Sequence, residues 1–363
     1  MGGGGGEPGG YHHVGMDHLI ELADAETFQR CRRAWDFGAA ARQNLEPLEP
    51  LWPVDVGRAV RDGLAAWYFP AMRGWDRSLV RPIAMEAFHK SMRAQRAGDA
   101  ARVPEDEWGS ATERGALALS RYFDWAPGVD DFSAVRVTTE FNVVVPHPAQ
   151  AGAGLVAADG RAVRFRGRFE LVVVDEHHRL WLVEHRIVHG EWADLDTLVL
   201  DHRSACLCWA LEFQYDAPVA GVIINELRLA PRPPAPSMAF TAGPRRRGVT
   251  VVGDPDGWFR RTRIRKAPKE IRRLRRQFAA AALEMCDPAV PIYPNPAPEH
   301  CGPCAFVAPC LAMSAGEDPA PLLEASFRHP VPEVIELPPR TGSCGPQRVY
   351  GWKTKGPGVK QNF

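Results

Sequence analysis

A triplet of cysteines near the C-terminus constrains this chain more than any other feature. Cys301, Cys304 and Cys310 follow a C-x2-C-x5-C pattern inside a proline-rich segment. Thiols spaced this closely are typical of a metal or cluster site, and eight cysteines among 363 residues are too few for a disulfide scaffold. A tetrahedral zinc ion or a four-iron cluster needs a fourth ligand, so a residue outside the triplet is predicted to join it. The candidates are Cys31, Cys206, Cys208, Cys286, Cys344 and His300.

The composition is that of a globular protein and identifies no partner. Hydrophobic residues make up 45% of the chain and aromatic residues 9%, enough to bury a core and to exclude disorder of the whole chain. Lys and Arg number 44, as do Asp and Glu, so the net charge is zero. No run of 18 apolar residues and no basic-then-apolar leader is found. These features predict a cytoplasmic protein without a membrane partner.

Changes in periodicity divide the chain into a central domain and two tails. Residues 1–15 form a Gly-rich tail that is expected to be disordered, and residues 316–363 form a Pro-rich tail that is expected to be loose. Between them, helical and strand-like periods predict an α/β domain over 16–315, with a helical insertion at about 70–130 and the cysteine segment at 301–310. The apolar spacing predicts helices at about 24–43, 55–69, 82–97, 106–125, 195–213 and 268–285, and strands at about 135–145, 168–174, 180–188, 219–229, 248–252 and 258–264.

Two of the predicted strands form a hairpin that carries a pair of glutamates. A turn centred near His177 makes the numbers of facing residues sum to 354, which places Glu170 opposite Glu184 with Cβ atoms about 5 Å apart. Two facing carboxylates repel each other unless a cation lies between them. The cation is either Mg²⁺ or Mn²⁺, which prefer oxygen ligands, or an arginine, because Arg186 and Arg168 share this face of the hairpin. The residues alone leave the metal site and the salt-bridge cluster open.

A strongly basic stretch runs from Arg245 to Arg276. It holds 13 Lys and Arg residues against three acids, although the whole chain is neutral. On the predicted helix, Arg265, Lys269, Arg272 and Arg276 fall away from the apolar stripe. Such a concentrated positive field predicts sequence-independent binding of a nucleic-acid backbone, and the other interpretation is a solvated helix face.

Several short motifs follow one another in the order of a known nuclease family. They are Phe28-Gln-Arg-Cys31-Arg-Arg-Ala-Trp35, Gly57-Arg-Ala-Val-Arg61, Gly167-Arg-Phe-Glu170, Glu184-His-Arg186, Asp201-His-Arg203 and the cysteine triplet. Together, with thirteen residues between the two glutamates, they resemble the RecB-like branch of the PD-(D/E)XK nuclease superfamily from about Ala23 to Met313. The series is similar to the CRISPR-associated exonucleases that carry an iron–sulfur cluster and to the nuclease domains of AddB-type helicase–nucleases.

The resemblance implies a restriction-endonuclease-like core, in which helices flank a mixed central sheet, with an N-terminal helical region and a C-terminal iron–sulfur loop. It makes Cys31 the fourth ligand of a [4Fe-4S] cluster held with the triplet, and zinc is the alternative occupant of this quartet. It implies that Glu170 and Glu184 bind Mg²⁺ or Mn²⁺ for the hydrolysis of DNA phosphodiesters. Single-stranded DNA or duplex ends are then the expected substrate, and repair or CRISPR-adaptation proteins the expected partners.

The catalytic positions depart from the family pattern. Arg61 replaces the family His, Glu170 the Asp, Arg186 the Lys, Arg203 the Gln and Leu207 the Tyr, and only Glu184 keeps the expected residue. Arginine can stabilise a phosphorane charge but does not give up its proton, so Arg186 cannot act as a general base.

Two functions remain open at this point. One is a metal-dependent DNA nuclease whose catalytic residues are Glu170, Glu184, Arg186, Arg61 and Arg203. The other is a catalytically inactive DNA-binding protein with the same fold and cluster. Alternation places His185 on the opposite face of the hairpin, where a structural role is expected, whereas His202 is a further candidate ligand.

Overall fold

The strand-like segments of the sequence come together in a mixed central sheet. The computed structural model describes residues 17–49, 54–98, 102–150, 152–230 and 248–330. Within these residues seven strands form the sheet: β1 (His18–Glu21), β3 (Phe132–Val144), β4 (Val163–Asp175), β5 (Leu180–Val188), β6 (Val219–Arg228), β7 (Val249–Gly253) and β8 (Phe259–Arg265). A small second sheet pairs β2 (Glu46–Pro47) with β9 (Phe327–Arg328).

The central sheet combines antiparallel and parallel pairs in the order β1-β4-β5-β6-β8-β7, with β3 also paired to β4. β4 runs antiparallel to β3 and β5 and parallel to β1. Because β5 and β6 are parallel, the chain must cross over between them, and it does so through α6 (Leu195–Leu200) and α7 (His202–Tyr215). β6, β8 and β7 continue the sheet antiparallel to one another.

Helices cover both faces of this sheet, which confirms the predicted α/β class. The remaining described α-helices are α1 (Leu22–Arg30), α2 (Arg32–Gly38), α3 (Val56–Trp67), α4 (Arg77–Ala97), α5 (Glu105–Trp125), α8 (Pro268–Cys286), α9 (Pro298–Cys301), α10 (Val307–Ala315) and α11 (Ala320–Ser326). α3, α4 and α5 pack on one face, around Trp67, Phe88 and Trp181. α1, α7 and α8 pack on the other face, around Trp209 and Phe278.

None of the described helices has both the length and the apolar character needed to cross a membrane.

Two of the predicted helices are each broken once. The helix predicted over 24–43 becomes α1 and α2, because the backbone of Cys31 is extended, with φ −160° and ψ 111°. The helix predicted over 195–213 becomes α6 and α7 at Asp201, whose carboxylate accepts the backbone N–H of Arg203 at 3.0 Å as an N-cap. Both breaks put a candidate functional side chain at a helix junction, which an uninterrupted helix would not do.

The tail predicted to be loose from residue 316 needs a correction over its first part. α11 and β9 lie within it, and β9 pairs with β2 from the N-terminal region. Phe327 stacks on Phe306 at a ring distance of 4.8 Å, and Phe306 stacks on Phe37 at 5.2 Å. This aromatic burial explains the order, because the gain from packing offsets the entropy cost of fixing the segment. The rest of that tail and the Gly-rich N-terminal tail lie outside the described residues.

The turn of the β4–β5 hairpin is held by the buried carboxylate of Asp175. One oxygen accepts the backbone N–H groups of His177 and Arg179 at 3.0 and 2.9 Å. The other accepts the side chains of Arg179 and Trp181 at 2.8 and 2.9 Å. Burial alone would raise the pKa of Asp175, but these hydrogen bonds outweigh it and lower the pKa to about 2. The turn therefore fixes the register of the two strands that carry the glutamates.

We expect Asp175→Asn to lower the free energy of unfolding by about 2 kcal/mol at pH 7, because the amide NH₂ cannot accept the Arg179 and Trp181 hydrogen bonds. A carboxyl pKa below the unfolded value stabilises the fold fully above about pH 4 and loses this effect as the pH falls towards 2. Denaturant unfolding at pH 7 and pH 3 measures both quantities. Glu176→Gln, in the same turn but exposed, is the control. An equal deficit at both pH values would contradict the assignment.

Candidate functional site

The two glutamates lie where the pairing of β4 with β5 ends and the sheet opens between β1 and β5. This opening is called the fork below. The register Leu171↔Val183 through Val174↔Leu180 confirms the predicted sum of 354. The pairing ends there, and Glu170 and Glu184 are the next residues on their strands. β1 pairs with β4 over 163–166 and β5 pairs with it over 171–174, both on the edge that β3 leaves free. Residues 167–170 of β4 therefore have no strand on that edge, and side chains can enter the gap.

Glu170 fills part of this gap. Its Oε2 accepts the backbone N–H of His185 at 2.7 Å, in the place where a strand carbonyl would otherwise pair. Its Oε1 is 3.8 Å from Nε of Arg61, which α3 supplies. Burial raises the pKa of Glu170, and the charge of Glu184 adds to this, although the His185 N–H and the arginines oppose it. Of its two oxygens, only Oε2 makes a close hydrogen bond.

Both oxygens of Glu184 are engaged by neighbouring side chains. The residue is only 4% exposed. Its Oε1 accepts Nε of Arg203 at 3.1 Å. Its Oε2 accepts Nη2 of Arg186 at 3.0 Å and the hydroxyl of Ser204 at 2.8 Å. The carboxylate of Glu184 is thus neutralised by two arginines.

A third carboxylate, Asp201, lies beside Glu184. The two acids together with Arg186, Arg203, Ser204 and Glu26 are called the acid cluster below. It forms an ion pair with Arg186, and its Oδ2 lies 2.8 Å from the Ser204 hydroxyl. Burial by itself would raise the pKa of Asp201, but Arg186 lowers it below its ordinary value. Burial likewise opposes the charge of Arg186, yet Glu184 and Asp201 together raise its pKa, so the guanidinium stays protonated.

Arg203 connects the cluster to the N-terminal helix. Its Nη1 donates to both oxygens of Glu26 on α1, at 3.0 and 3.2 Å, while its Nε binds Glu184. Arg168, which was predicted to share the face of Arg186, is exposed and forms no ion pair within the described residues. With Arg61 and Glu170 it instead lines a cavity of about 20 Å³, the size of one water molecule.

This geometry corresponds to the salt-bridge alternative for the glutamate pair. A divalent ion at Glu184 would have to displace the bonds from Arg186 and Arg203. Among the described residues, no group of three or more His, Cys, Asp or Glu side chains is arranged to hold a metal ion.

The cysteine triplet and Cys31 come from opposite ends of the described chain and lie in one region. Burial raises the pKa of Cys304, and the nearby thiols of Cys31 and Cys301 raise it further. The α1–α2 junction contacts the C-terminal segment through its backbone: Asn295 donates to the carbonyl of Arg30 at 2.9 Å, and the N–H of Arg33 donates to the carbonyl of Tyr293 at 3.1 Å.

Cys310 also borders the α1–α2 junction, because Arg33 donates to its carbonyl at 3.3 Å and approaches its sulfur at 3.5 Å.

Two of the other candidate ligands lie in the core and a third is not described. Cys206 and Cys208 are buried in α7 among core side chains. Cys344 lies outside the described residues. The four thiols of Cys31 and the triplet are free and partly buried. Their chemistry is that of the ligands of an iron–sulfur cluster or a structural zinc ion, but among the described residues no three of them are arranged to hold a metal ion.

A cleft of about 360 Å³ lies between this quartet and the acid cluster. α1 contributes Gln29 and Arg30, the start of α7 contributes His202 and Arg203, and His300 comes from the residue before Cys301. Leu22, Ala25 and Cys206 supply apolar surface. The cleft therefore touches the elements that carry both candidate centres.

The basic stretch is less charged at the surface than its sequence implies. Lys269, Arg272 and Arg276 are exposed on α8, as their helical spacing predicted. Arg265 is exposed as well, but it is the last residue of β8 and not part of the helix. Four other cations of the stretch are instead engaged in ion pairs: Arg260 with Glu226 at 2.6 Å, Arg261 with Asp130 at 2.7 Å, Arg263 with Asp131 at 2.5 Å and Lys266 with Glu270 at 2.9 Å. The three arginines lie on β8, which is paired with β6 and β7 inside the sheet, whereas Lys266 follows β8 and pairs with Glu270 at the start of α8. Arg245, Arg246 and Arg247 lie outside the described residues.

His185 belongs to the core, as predicted. It is 6% exposed, stacks on Tyr68 and lies 2.9 Å from the amide nitrogen of Asn225 through Nδ1. Burial lowers its pKa to about 3, and the charges of Arg261 and Arg61 act in the same direction, so the imidazole is neutral. Its side chain is directed to the face opposite the acid cluster.

Three side chains of the acid cluster were not predicted as site residues from the sequence: Glu26, Asp201 and Ser204. Asp201 before a helical period carries an N-cap signal, but that signal predicts only a helix start. The contact with Arg186 arises from the packing of α7 against β5, and the contact of Glu26 with Arg203 from the packing of α1 beside it. No local pattern encodes either.

Comparisons with known proteins give little further information. No family model and no curated protein match this chain. Among solved structures, one titled "Crystal structure of SSO0001" is similar over 83% of this chain and 89% of its own, with 11% sequence identity and a TM-score of 0.34. A likeness of this level assigns no function.

Proposed function

We propose that this protein binds DNA on a RecB-like PD-(D/E)XK core whose acid site is occupied by its own arginines. The observation that carries the proposal is the engagement of Glu184: Arg186, Arg203 and Ser204 take both of its oxygens. In the resembled family this carboxylate binds the catalytic ion, and the neighbouring Lys, which can lose a proton, is Arg186 here. DNA binding without cleavage is the function that agrees with these replacements.

The exposed cations on and beside α8 would supply the binding energy. Arg265, Lys269, Arg272 and Arg276 are exposed and form no ion pair within the described residues. Phosphate contacts of this kind release counterions, so they give affinity that is independent of sequence and falls steeply with salt.

The quartet of Cys31, Cys301, Cys304 and Cys310 would hold a [4Fe-4S] cluster, and a zinc ion is the alternative. Such a centre would supply covalent cross-links between α1–α2 and the C-terminal segment. The hydrogen bonds of Asn295 and Arg33 already bring these two parts together. The role proposed for the centre is therefore structural, as a clamp between sequence-remote segments.

A second candidate function is a Mg²⁺- or Mn²⁺-dependent DNA nuclease. It is favoured by the position of Glu170 and Glu184 at the fork, where Oε1 of Glu170 has only the 3.8 Å contact with Arg61. These two residues would hold the ion, which would polarise the scissile phosphate when bound. Arg186 would stabilise negative charge on the phosphate but could not deprotonate water.

A cleavage assay with Mn²⁺ on end-labelled single-stranded DNA separates the two candidates. Under our proposal the wild type and Glu184→Gln both bind DNA and neither cleaves it. Cleavage by the wild type that Glu184→Gln abolishes would establish the nuclease instead, and Arg186→Lys should then be the more active protein. Absence of both binding and cleavage would overturn both candidates.

The salt dependence of binding tests the DNA-contacting surface. We expect Lys269→Gln/Arg272→Gln to weaken single-stranded DNA binding about tenfold at low salt and to reduce the slope of log K against log salt by about 1.4, since each phosphate contact contributes about 0.7. Fluorescence anisotropy at a series of salt concentrations measures both. Lys90→Gln/Arg93→Gln makes the same charge change on exposed residues of α4 and should leave the affinity unchanged. Equal losses in the two double variants would contradict this surface.

A further inference from the structure

We propose that an apolar patch between the end of α6 and the start of α8 packs against a base of the bound DNA strand. The patch consists of Leu200, Ala267 and Pro268. This inference rests on the proposed DNA-binding function and adds to it a contact with the bases, which the phosphate contacts of α8 do not supply.

Leu200 protrudes from the end of α6. At 76% exposure it is the most exposed large apolar side chain of the described residues. Lys266 donates to the carbonyl of Val199, the residue before it, at 2.6 Å. Asp201, the residue after it, caps α7 and accepts the backbone N–H of Arg203 at 3.0 Å. The backbone that presents Leu200 to solvent is therefore held on both sides.

The same lysine brings the start of α8 to this point. Lys266 is buried, and its ammonium also binds Glu270 on the first turn of α8 at 2.9 Å. Ala267 and Pro268, which follow it in the chain, are exposed. Leu200 on one side of the Lys266 contact and these two residues on the other side form the patch.

Two exposed cations flank the patch. Arg265 is the last residue of β8, and Lys269 lies on the first turn of α8. Neither forms an ion pair with another residue in the part of the chain that the structure describes. Their charges attract the phosphates of a nucleic-acid strand, which leaves the apolar side chains beside them for its bases.

The neighbouring carboxylates do not cancel this positive charge. Residues 195–201 and 265–272 contain three acids. Asp201 forms an ion pair with Arg186, and Glu270 forms one with Lys266. Asp196, one turn before Leu200 on α6, is the third. The same two segments expose three cations, namely Arg265, Lys269 and Arg272.

Apolar side chains next to such cations suit the face of a nucleobase. Proteins that unstack DNA insert leucine or proline side chains between neighbouring bases. In a single strand the bases are unpaired, so a side chain reaches their faces at a smaller cost than in a duplex. Every base has such a face, so the contact made by Leu200 does not depend on sequence.

Removing the bases from the ligand tests the patch. Binding of the full chain to an oligothymidylate is compared with binding to an oligomer of the same length whose nucleotides are all abasic, by fluorescence anisotropy over a series of salt concentrations. We expect the wild type to bind the abasic oligomer about fivefold more weakly, near the low end of what one stacked base contributes.

Leu200→Ser should show the same loss without any change in charge. Its affinity for oligothymidylate should fall about fivefold, and its affinity for the abasic oligomer should equal that of the wild type. The slope of log K against log salt should stay unchanged, because the lost contact releases no counterions.

Two further variants serve as controls. Leu79→Ser makes the same change at a side chain that is 58% exposed on α4, which packs on the other face of the sheet, and should bind like the wild type. Leu200→Phe keeps an apolar side chain at the patch and should bind oligothymidylate at least as tightly as the wild type. Circular dichroism verifies that each variant is folded.

The possible failures are distinguishable. Salt-dependent binding of the two oligomers with equal affinity by the wild type overturns the patch and leaves the proposed function standing. The patch is also overturned if Leu200→Ser binds oligothymidylate like the wild type, or if it loses as much affinity for the abasic oligomer as for oligothymidylate. Equal losses in Leu200→Ser and Leu79→Ser have the same meaning. If the wild type binds neither oligomer, both proposals are overturned.

Discussion

Replacing Arg186 by leucine is expected to lower the free energy of unfolding by about 3 kcal/mol at pH 7. The guanidinium lies between Glu184 and Asp201, both of which are largely removed from solvent, and its loss leaves two carboxylates facing each other without this cation. Removing one partner of a buried ion pair costs about 3–5 kcal/mol, and the lower end applies because the Arg186 side chain is 29% exposed. Denaturant unfolding measures the loss.

The direction of the pKa shift of Asp201 predicts how the loss of stability in Arg186→Leu changes with pH. Arg186 lowers the pKa of Asp201, so the stabilisation is present above the unfolded carboxyl pKa of about 4 and is lost as the pH falls below it. The deficit of Arg186→Leu should therefore be largest near pH 7 and shrink below about pH 4. Arg186→Lys keeps a charge in the cluster and should lie between the leucine variant and the wild type. A deficit that does not change with pH would show that Arg186 acts through packing alone.

Removing two ligands of the proposed clamp is expected to have the other large effect. We expect anaerobically purified protein to be brown, and the double variant Cys304→Ser/Cys310→Ser to be colourless, with a Tm lower by about 10 °C. A loss of several kcal/mol shifts the Tm of a domain of this size by about 2–4 °C per kcal/mol. Visible absorption, iron analysis and thermal unfolding measure the two consequences independently.

The matched control is Cys286→Ser, which makes the same chemical change at the end of α8, outside the quartet. This variant should stay brown, and its Tm should be close to that of the wild type. A colourless wild type with one equivalent of zinc would replace the iron–sulfur cluster by the alternative occupant but would keep the clamp. A wild type that is free of metal and no more stable than the double variant would contradict the clamp altogether.

The hairpin shows how far sequence reasoning reaches when the relevant physics is local. A polar turn between two apolar runs sets the register, because the side-chain period of a strand is two and a slip of one residue would turn Val172 and Leu182 away from the core. The position of Glu170 beside Glu184 follows from that register. The exposed face of α8 follows equally from the spacing of its cations along a helix.

The choice between a metal site and a salt-bridge cluster was not accessible in the same way. It depends on Arg203, Ser204 and Asp201, which reach Glu184 or Arg186 only because α7 packs against β5. Their distance in sequence from the hairpin hides the contact. Similarly, counting the cations between Arg245 and Arg276 overestimates the surface charge, since nothing in that segment indicates that Arg260 and Arg261 are buried.

The sequence by itself determined the α/β class, the register of the acid-bearing hairpin, the exposed basic face of α8 and the grouping of three cysteines. Each depends on the period of a helix or strand or on spacing within a few residues, so local geometry is sufficient. The tertiary structure alone decided which charges are neutralised and that a cleft lies between α1 and the start of α7. These features join segments far apart in the sequence, such as Arg33 and Cys310, which are 277 residues apart, and are decided by how the helices pack.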